Sequence, residues 1–101
     1  MEPQPHPTDP ELFDILQNGI FDEAFSTGVL TDVERELLTI TALTAMQTLP
    51  QLQAHVGAAL NIGASPLQLR ETIYQCAPYI GFPKTLNAID IANGVFEANG
   101  I

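Results

Sequence analysis

An all-α fold is predicted for this 101-residue chain by three features: helix starts marked by proline, apolar residues recurring at three- and four-residue intervals, and no sustained two-residue alternation. β-Branched residues never cluster between turn pairs, and no internal repeat or linker divides the sequence. One domain over residues 9–101 is expected, behind a flexible arm at residues 1–8, where three of the first seven residues are proline.

The elements follow in order. Asp9-Pro10-Glu11 reads as an N-cap followed by proline at the first helical position, and Leu12, Phe13 and Leu16 keep helical spacing until Asn18-Gly19. Ile20, Phe21, Ala24 and Phe25 suggest another turn or two before Gly28. Thr31 and Glu34 have capping-box spacing and open a helix to about Thr48. Val33, Leu37, Leu38, Ile40, Thr41 and Met46 occupy more than one of its faces, so a central position is expected. Leu49-Pro50 starts the next helix, with Leu52, Val56, Ala59 and Leu60 as its apolar stripe and Gly63 as its stop. Ser65-Pro66-Leu67-Gln68 opens another, to about Ala77. Tyr79-Ile80-Gly81-Phe82-Pro83 reads as a turn, and the last helix runs from Pro83 to about Ala98 with Leu86, Ile89, Val95 and Phe96 inward. Gly57 and Gly94, inside predicted helices, suggest close helix packing.

Composition narrows the function. A hydrophobic fraction of 46% against 15% charged is high for so small a body, and contacts between subunits would absorb the excess. Three basic residues against 12 acidic ones give a net charge of -9, which repels nucleic acid and anionic lipid alike. Much of the acid comes early, at Glu2, Asp9, Glu11, Asp14, Asp22 and Glu23. The longest apolar stretch, Leu37 to Met46, is shorter than a bilayer span and is interrupted by Thr39, Thr41 and Thr44. The first seven residues lack the basic and apolar regions of a signal peptide. A single cysteine, Cys76, makes no internal disulfide and no C-x-x-C pair, so a cytoplasmic location is expected.

Few residues offer chemistry. His55 shares a helical face with Leu52, Val56 and Ala59, which points its imidazole at the core or at a subunit boundary. A packed histidine and a proton-transfer group both fit that placement. Glu36, between Arg35 and Leu37 in the preceding helix, suits either a half-buried carboxylate paired with His55 or a complement to the helix dipole beside Asp32 and Glu34. Cys76 has apolar neighbours and no adjacent base, so it reads as a packed side chain. His6 and His55 are too differently placed for a metal site, and the metalloprotease, nucleophile-elbow and phosphate-loop patterns are absent; neither metal nor cofactor is expected.

Glu34-Arg35-Glu36-Leu37-Leu38-Thr39-Ile40, Leu49-Pro50-Gln51-Leu52-Gln53-Ala54-His55, Ala58-Ala59-Leu60-Asn61-Ile62-Gly63-Ala64 and Tyr79-Ile80-Gly81-Phe82-Pro83-Lys84-Thr85-Leu86-Asn87-Ala88 together resemble the carboxymuconolactone decarboxylase family, over about residues 31–95. The resemblance implies an alkylhydroperoxidase-like bundle of about five to six helices, assembled into a ring, trimer or hexamer, with its site near a subunit boundary. In the peroxidase branch of that fold the motif is a glutamate, a cysteine pair and a histidine. Glu36 and His55 match its ends, whereas Thr48 and Gln51 occupy the cysteine positions, so dithiol peroxide reduction is disfavoured. The decarboxylase branch implies loss of carbon dioxide from a carboxylated unsaturated lactone and protonation of the dienolate on carbon. His55 would then supply the proton and Glu36 would orient and charge the imidazole. Arg35, Tyr79 and Lys84 are the candidate substrate-binding residues, with Arg70 the remaining cation. An oligomeric module without catalysis and an alkylhydroperoxidase-type antioxidant protein are the alternative readings.

Overall fold

Glu11 and residues 28–101 are described by a computed structural model. The expected arm at residues 1–8 and the expected helical turns between Leu12 and Phe25 lie outside the described residues. Chain contacts divide the protein into Met1–Asp32 and Val33–Ile101, and the second unit carries the elements discussed below apart from Asp32, the first residue of the first of them. Among the described residues from Asp32 onward, five helical segments follow one another: α1 Asp32–Met46, α2 Leu49–Asn61, α3 Pro66–Tyr74, α4 Ala77–Ile80 and α5 Phe82–Ala98. There is no strand among the described residues, in agreement with the all-α expectation. None of the described helices is long and apolar enough to cross a membrane.

Local chemistry sets the boundaries. At α3 the Ser65 hydroxyl accepts from the Gln68 amide at 3.0 Å while the Gln68 side chain accepts from the Ser65 amide at 2.9 Å, a reciprocal cap that satisfies two otherwise orphaned donors. Gly63 closes α2 at φ 103°, where Gly63 N donates to Leu60 O and Ala64 N to Ala59 O. The same pair of bonds ends α1, with Gln47 N to Thr44 O and Thr48 N to Leu43 O. There the left-handed residue is Gln47, at φ 58°.

Two boundaries differ from the sequence expectation. The helix expected to reach Ala77 stops at Tyr74, and the expected turn at Tyr79 is part of a single helical turn, α4. Pro78 explains both: it lacks the amide that would continue α3, yet its fixed φ suits the first turn of a new helix. Gly81, at φ 86°, then redirects the chain into α5.

The core gathers one face from each long helix: Ile40 from α1, Leu52, Val56 and Ala59 from α2, Leu69 and Ile73 from α3, and Ala88, Ile89, Ala92, Val95 and Phe96 from α5. Phe96 is 1% exposed, and the Arg70 guanidinium lies over its ring at 4.8 Å, joining α3 to α5. α2 and α5 run in the same direction: Gln47, just ahead of α2, is bonded to Lys84 and Asn87 at the start of α5, and Gly57 faces Val95 near its end. α1 returns antiparallel to α2 through a two-residue link.

Two expectations about burial change. Leu86, expected inward, is 55% exposed, because Thr85, Ala88 and Ile89 supply the inner face of α5. Helix α1, expected to be central, is buried along Glu36, Ile40 and Thr44 but leaves Leu38 and Met46 outside.

Candidate active site

Antiparallel pairing of α1 and α2 sets the first turn and a half of α1 against the middle of α2. Glu36 is brought onto the inner face of α1 by its spacing from Ile40 and Thr44, each one turn further along. His55 follows Leu52 by three residues and precedes Val56 and Ala59 on the inner face of α2. The side chains meet: His55 Nδ1 lies 3.0 Å from Glu36 Oε2 and 3.2 Å from Oε1. Glu36 is buried, with 9% of its side chain exposed, whereas 22% of the His55 side chain reaches the surface.

A carboxylate only accepts, so Nδ1 is the ring nitrogen that carries a proton here. That fixes the tautomer and leaves Nε2 as the nitrogen with the free lone pair. Nε2 has no hydrogen-bond partner among the described residues. The pair can therefore take up or deliver one proton through Nε2, with the Glu36 carboxylate stabilising the imidazolium formed in between.

Other sequence candidates fall elsewhere. Arg35 is buried beside Glu36 on α1, and its carbonyl accepts from the Thr39 hydroxyl at 3.0 Å. Tyr79 on α4 is 82% exposed. Lys84 is exposed in the first turn of α5, and its carbonyl accepts from Gln47, about two helical turns before His55 along α2. The two positions that carry cysteines in the peroxidase branch, Thr48 and Gln51, open α2; the Thr48 hydroxyl turns back to Leu43 O at 3.4 Å. Cys76 is buried, and that burial raises its thiol above the ordinary cysteine range. Its Sγ donates to Thr72 O at 3.6 Å. No group of three or more His, Cys, Asp or Glu side chains placed to hold a metal occurs among the described residues.

Sequence reasoning passed over Gln47 and Thr44. The Gln47 Nε2 donates to Thr44 O at 2.8 Å and to Lys84 O at 3.0 Å, tying the end of α1 to the start of α5. Thr44 is fully buried, and its hydroxyl has no partner among the described residues. The short link ahead of Pro50 could have signalled a cap at Gln47, but nothing in the sequence marks the Thr44 hydroxyl as unsatisfied.

Comparison with known proteins places the chain in a family. Residues 10–94 match the model of the carboxymuconolactone decarboxylase family. The chain is 34% identical over 79 residues to a 4-carboxymuconolactone decarboxylase of Acinetobacter baylyi, covering 78% of this chain and 59% of that protein. It is 37% identical over 78 residues to an uncharacterised 15.0 kDa protein of Paracoccus denitrificans, covering 75% of this chain and 58% of that protein. The chain thus spans somewhat under three fifths of the length of each of these relatives.

Proposed function

The chain belongs to the carboxymuconolactone decarboxylase family, and from that premise we propose that it catalyses a cofactor-free decarboxylation, or a related proton transfer, on a small unsaturated acid or lactone. The observation that carries this reading is the His55–Glu36 pair, with Nδ1 held by a buried carboxylate and Nε2 left to act.

In the proposed reaction the bond from carbon to the substrate carboxylate breaks, carbon dioxide leaves, and the electron pair is delocalised as a dienolate. The imidazolium of His55 gives its Nε2 proton to carbon and is recharged from solvent, so one proton is consumed for each carbon dioxide released. Glu36 stabilises the charged ring and keeps it aimed. Arg35, buried one residue away from Glu36, is the cation nearest in sequence for the substrate carboxylate or the developing oxyanion. Tyr79 and Lys84 are assigned to substrate binding through a neighbouring subunit, a role that suits side chains exposed in one copy of the chain. A cytoplasmic homo-oligomer, trimer or hexamer, belongs to the same proposal; support comes from exposed aromatics such as Tyr79, 82%, and Phe82, 74%.

The test is turnover of 4-carboxymuconolactone by the purified chain, followed as carbon dioxide release and loss of the substrate chromophore. Protein-dependent turnover is expected. A folded, oligomeric protein that leaves this lactone and related unsaturated acids untouched would make the His55–Glu36 contact a structural hydrogen bond.

A further inference from the structure

We propose that Gln51 is the hydrogen-bond donor of the site: its side-chain amide holds the lactone carbonyl oxygen of the substrate while His55 protonates carbon. This rests on the reading of the protein as a decarboxylase and names the group that takes the negative charge formed when carbon dioxide leaves. Gln51 stands one helical turn before His55 on α2, a spacing that brings their β-carbons to about 5–6 Å. Side chains on a helix lean toward its N-terminus, so the imidazole lies over the turn that Gln51 and Leu52 form. Leu52 is fully buried on one side of that turn, and Gln51 is exposed on the other. Nδ1 faces the Glu36 carboxylate, and the 22% of the His55 side chain that reaches the surface opens on the flank bounded by Gln51 and Ala58.

The surrounding donors leave one choice. The neighbours of His55 three and four residues away on α2 are Gln51, Leu52, Ala58 and Ala59, and Gln51 alone carries a hydrogen-bonding side chain. Thr48, nearly a further turn back, turns its hydroxyl to Leu43 O at 3.4 Å. On α1 the hydroxyl of Thr39, one turn beyond Glu36, donates to Arg35 O at 3.0 Å. Other glutamines are engaged as well: Gln47 with Thr44, Lys84 and Asn87, and Gln68 in the cap of α3. The Gln51 amide makes no hydrogen bond among the described residues, so both of its N–H groups are open to a ligand.

The amide suits the charge that appears. When the bond from carbon to the substrate carboxylate breaks, the electron pair moves through the conjugated system onto the lactone carbonyl oxygen, and it returns to carbon as the Nε2 proton arrives. A neutral donor binds that oxygen modestly while it is a carbonyl and more strongly once it carries negative charge. The contact therefore favours the transition state over the bound substrate. A carboxamide also places no charge beside the reacting atoms, whereas a carboxylate at the same position would repel the dienolate. Gln51 thus takes the oxyanion, and of its two assignments Arg35 keeps the substrate carboxylate.

The experiment measures kcat and KM for 4-carboxymuconolactone with the full chain, comparing wild type, Gln51→Leu, Gln51→Glu and Gln53→Leu, with helicity by circular dichroism checked for each. Gln53 is also exposed on α2 but lies about 200° further round the helix than Gln51, so Gln53→Leu is expected to match wild type. Gln51→Leu is expected to lower kcat by about 10–10² with KM little changed, short of the 10²–10³ of a closed oxyanion hole because water reaches a half-exposed site. Gln51→Glu is expected to be slower still. Equal kcat in wild type and Gln51→Leu, a rise in KM alone, or an equal loss at position 53 overturns the role of Gln51 and leaves the decarboxylase reading standing. A wild type inert toward the lactone overturns both.

Discussion

Asn87 donates from Nδ2 to Oε1 of Gln47 at 3.1 Å, while the Nε2 of Gln47 serves the carbonyls of Thr44 and Lys84. One side-chain amide thus links the last turn of α1 to the first turns of α5, from a residue held at φ 58°. Two effects oppose each other there. The left-handed backbone costs about 1 kcal/mol for a residue with a β-carbon, and three hydrogen bonds return roughly 0.5–1.5 kcal/mol each.

Separating those effects needs two substitutions. Gln47→Ala loses the bonds and keeps the backbone cost, whereas Gln47→Gly loses the bonds and relieves it. Denaturant melts should show both variants less stable than wild type, with the alanine variant lower by about 1 kcal/mol. Equal stability of the two would remove the backbone argument.

Thr44 offers a change in the other direction. Its hydroxyl is fully buried and unbonded among the described residues, a burden of about 1–3 kcal/mol. Thr44→Val keeps the branched shape without the oxygen, so a higher melting temperature is expected, corresponding to about 1 kcal/mol or more. A destabilised valine variant would mean that the hydroxyl has a partner after all.

Glycine inside a helix carries a similar surplus cost. A β-carbon at Gly94 would meet nothing within 4 Å, and one at Gly57 would stand 4.0 Å from Val95 Cγ1, an ordinary contact. Gly94→Ala and Gly57→Ala should therefore each raise stability by about 0.5–1 kcal/mol. The close packing that the sequence suggested at both positions is not tight enough to require glycine, and a loss of stability at Gly57 would show otherwise.

Cys76 should be slow to react. Burial raises its thiol, so less thiolate is present at neutral pH than for a free cysteine, and the sulfur is covered as well. Titration with a disulfide reagent at pH 7.5 is expected to run at least about tenfold faster in denaturant than in the native protein. Equal rates would contradict the packed placement.

What could be read from the sequence divides along physical lines. Helix starts at Pro50 and Ser65-Pro66 were legible because capping is local chemistry, and the core faces of α2 and α5 because periodicity reports burial directly. His55 and Glu36 were legible as a pair because each lay on an apolar face and the family pattern joined them. The break at Pro78 was not, since proline ends one helix and begins another with equal ease. The outer face of α1 misled for a different reason: apolarity on every side predicts a helix covered on every side, whereas Leu38 and Met46 are exposed in this single chain. Gln47 and Thr44 depend on partners distant in sequence or on the lack of any, which no local pattern encodes.

In the proposed mechanism His55 moves the proton and Glu36 makes it able to. The most direct measurement is kcat for decarboxylation of 4-carboxymuconolactone by wild type, His55→Ala and Glu36→Gln, with folding checked for each. A loss of about 10²–10⁴ is expected for His55→Ala, a smaller but at least tenfold loss for Glu36→Gln, and native helicity in both. Unchanged turnover in the two variants would remove both residues from the proton transfer.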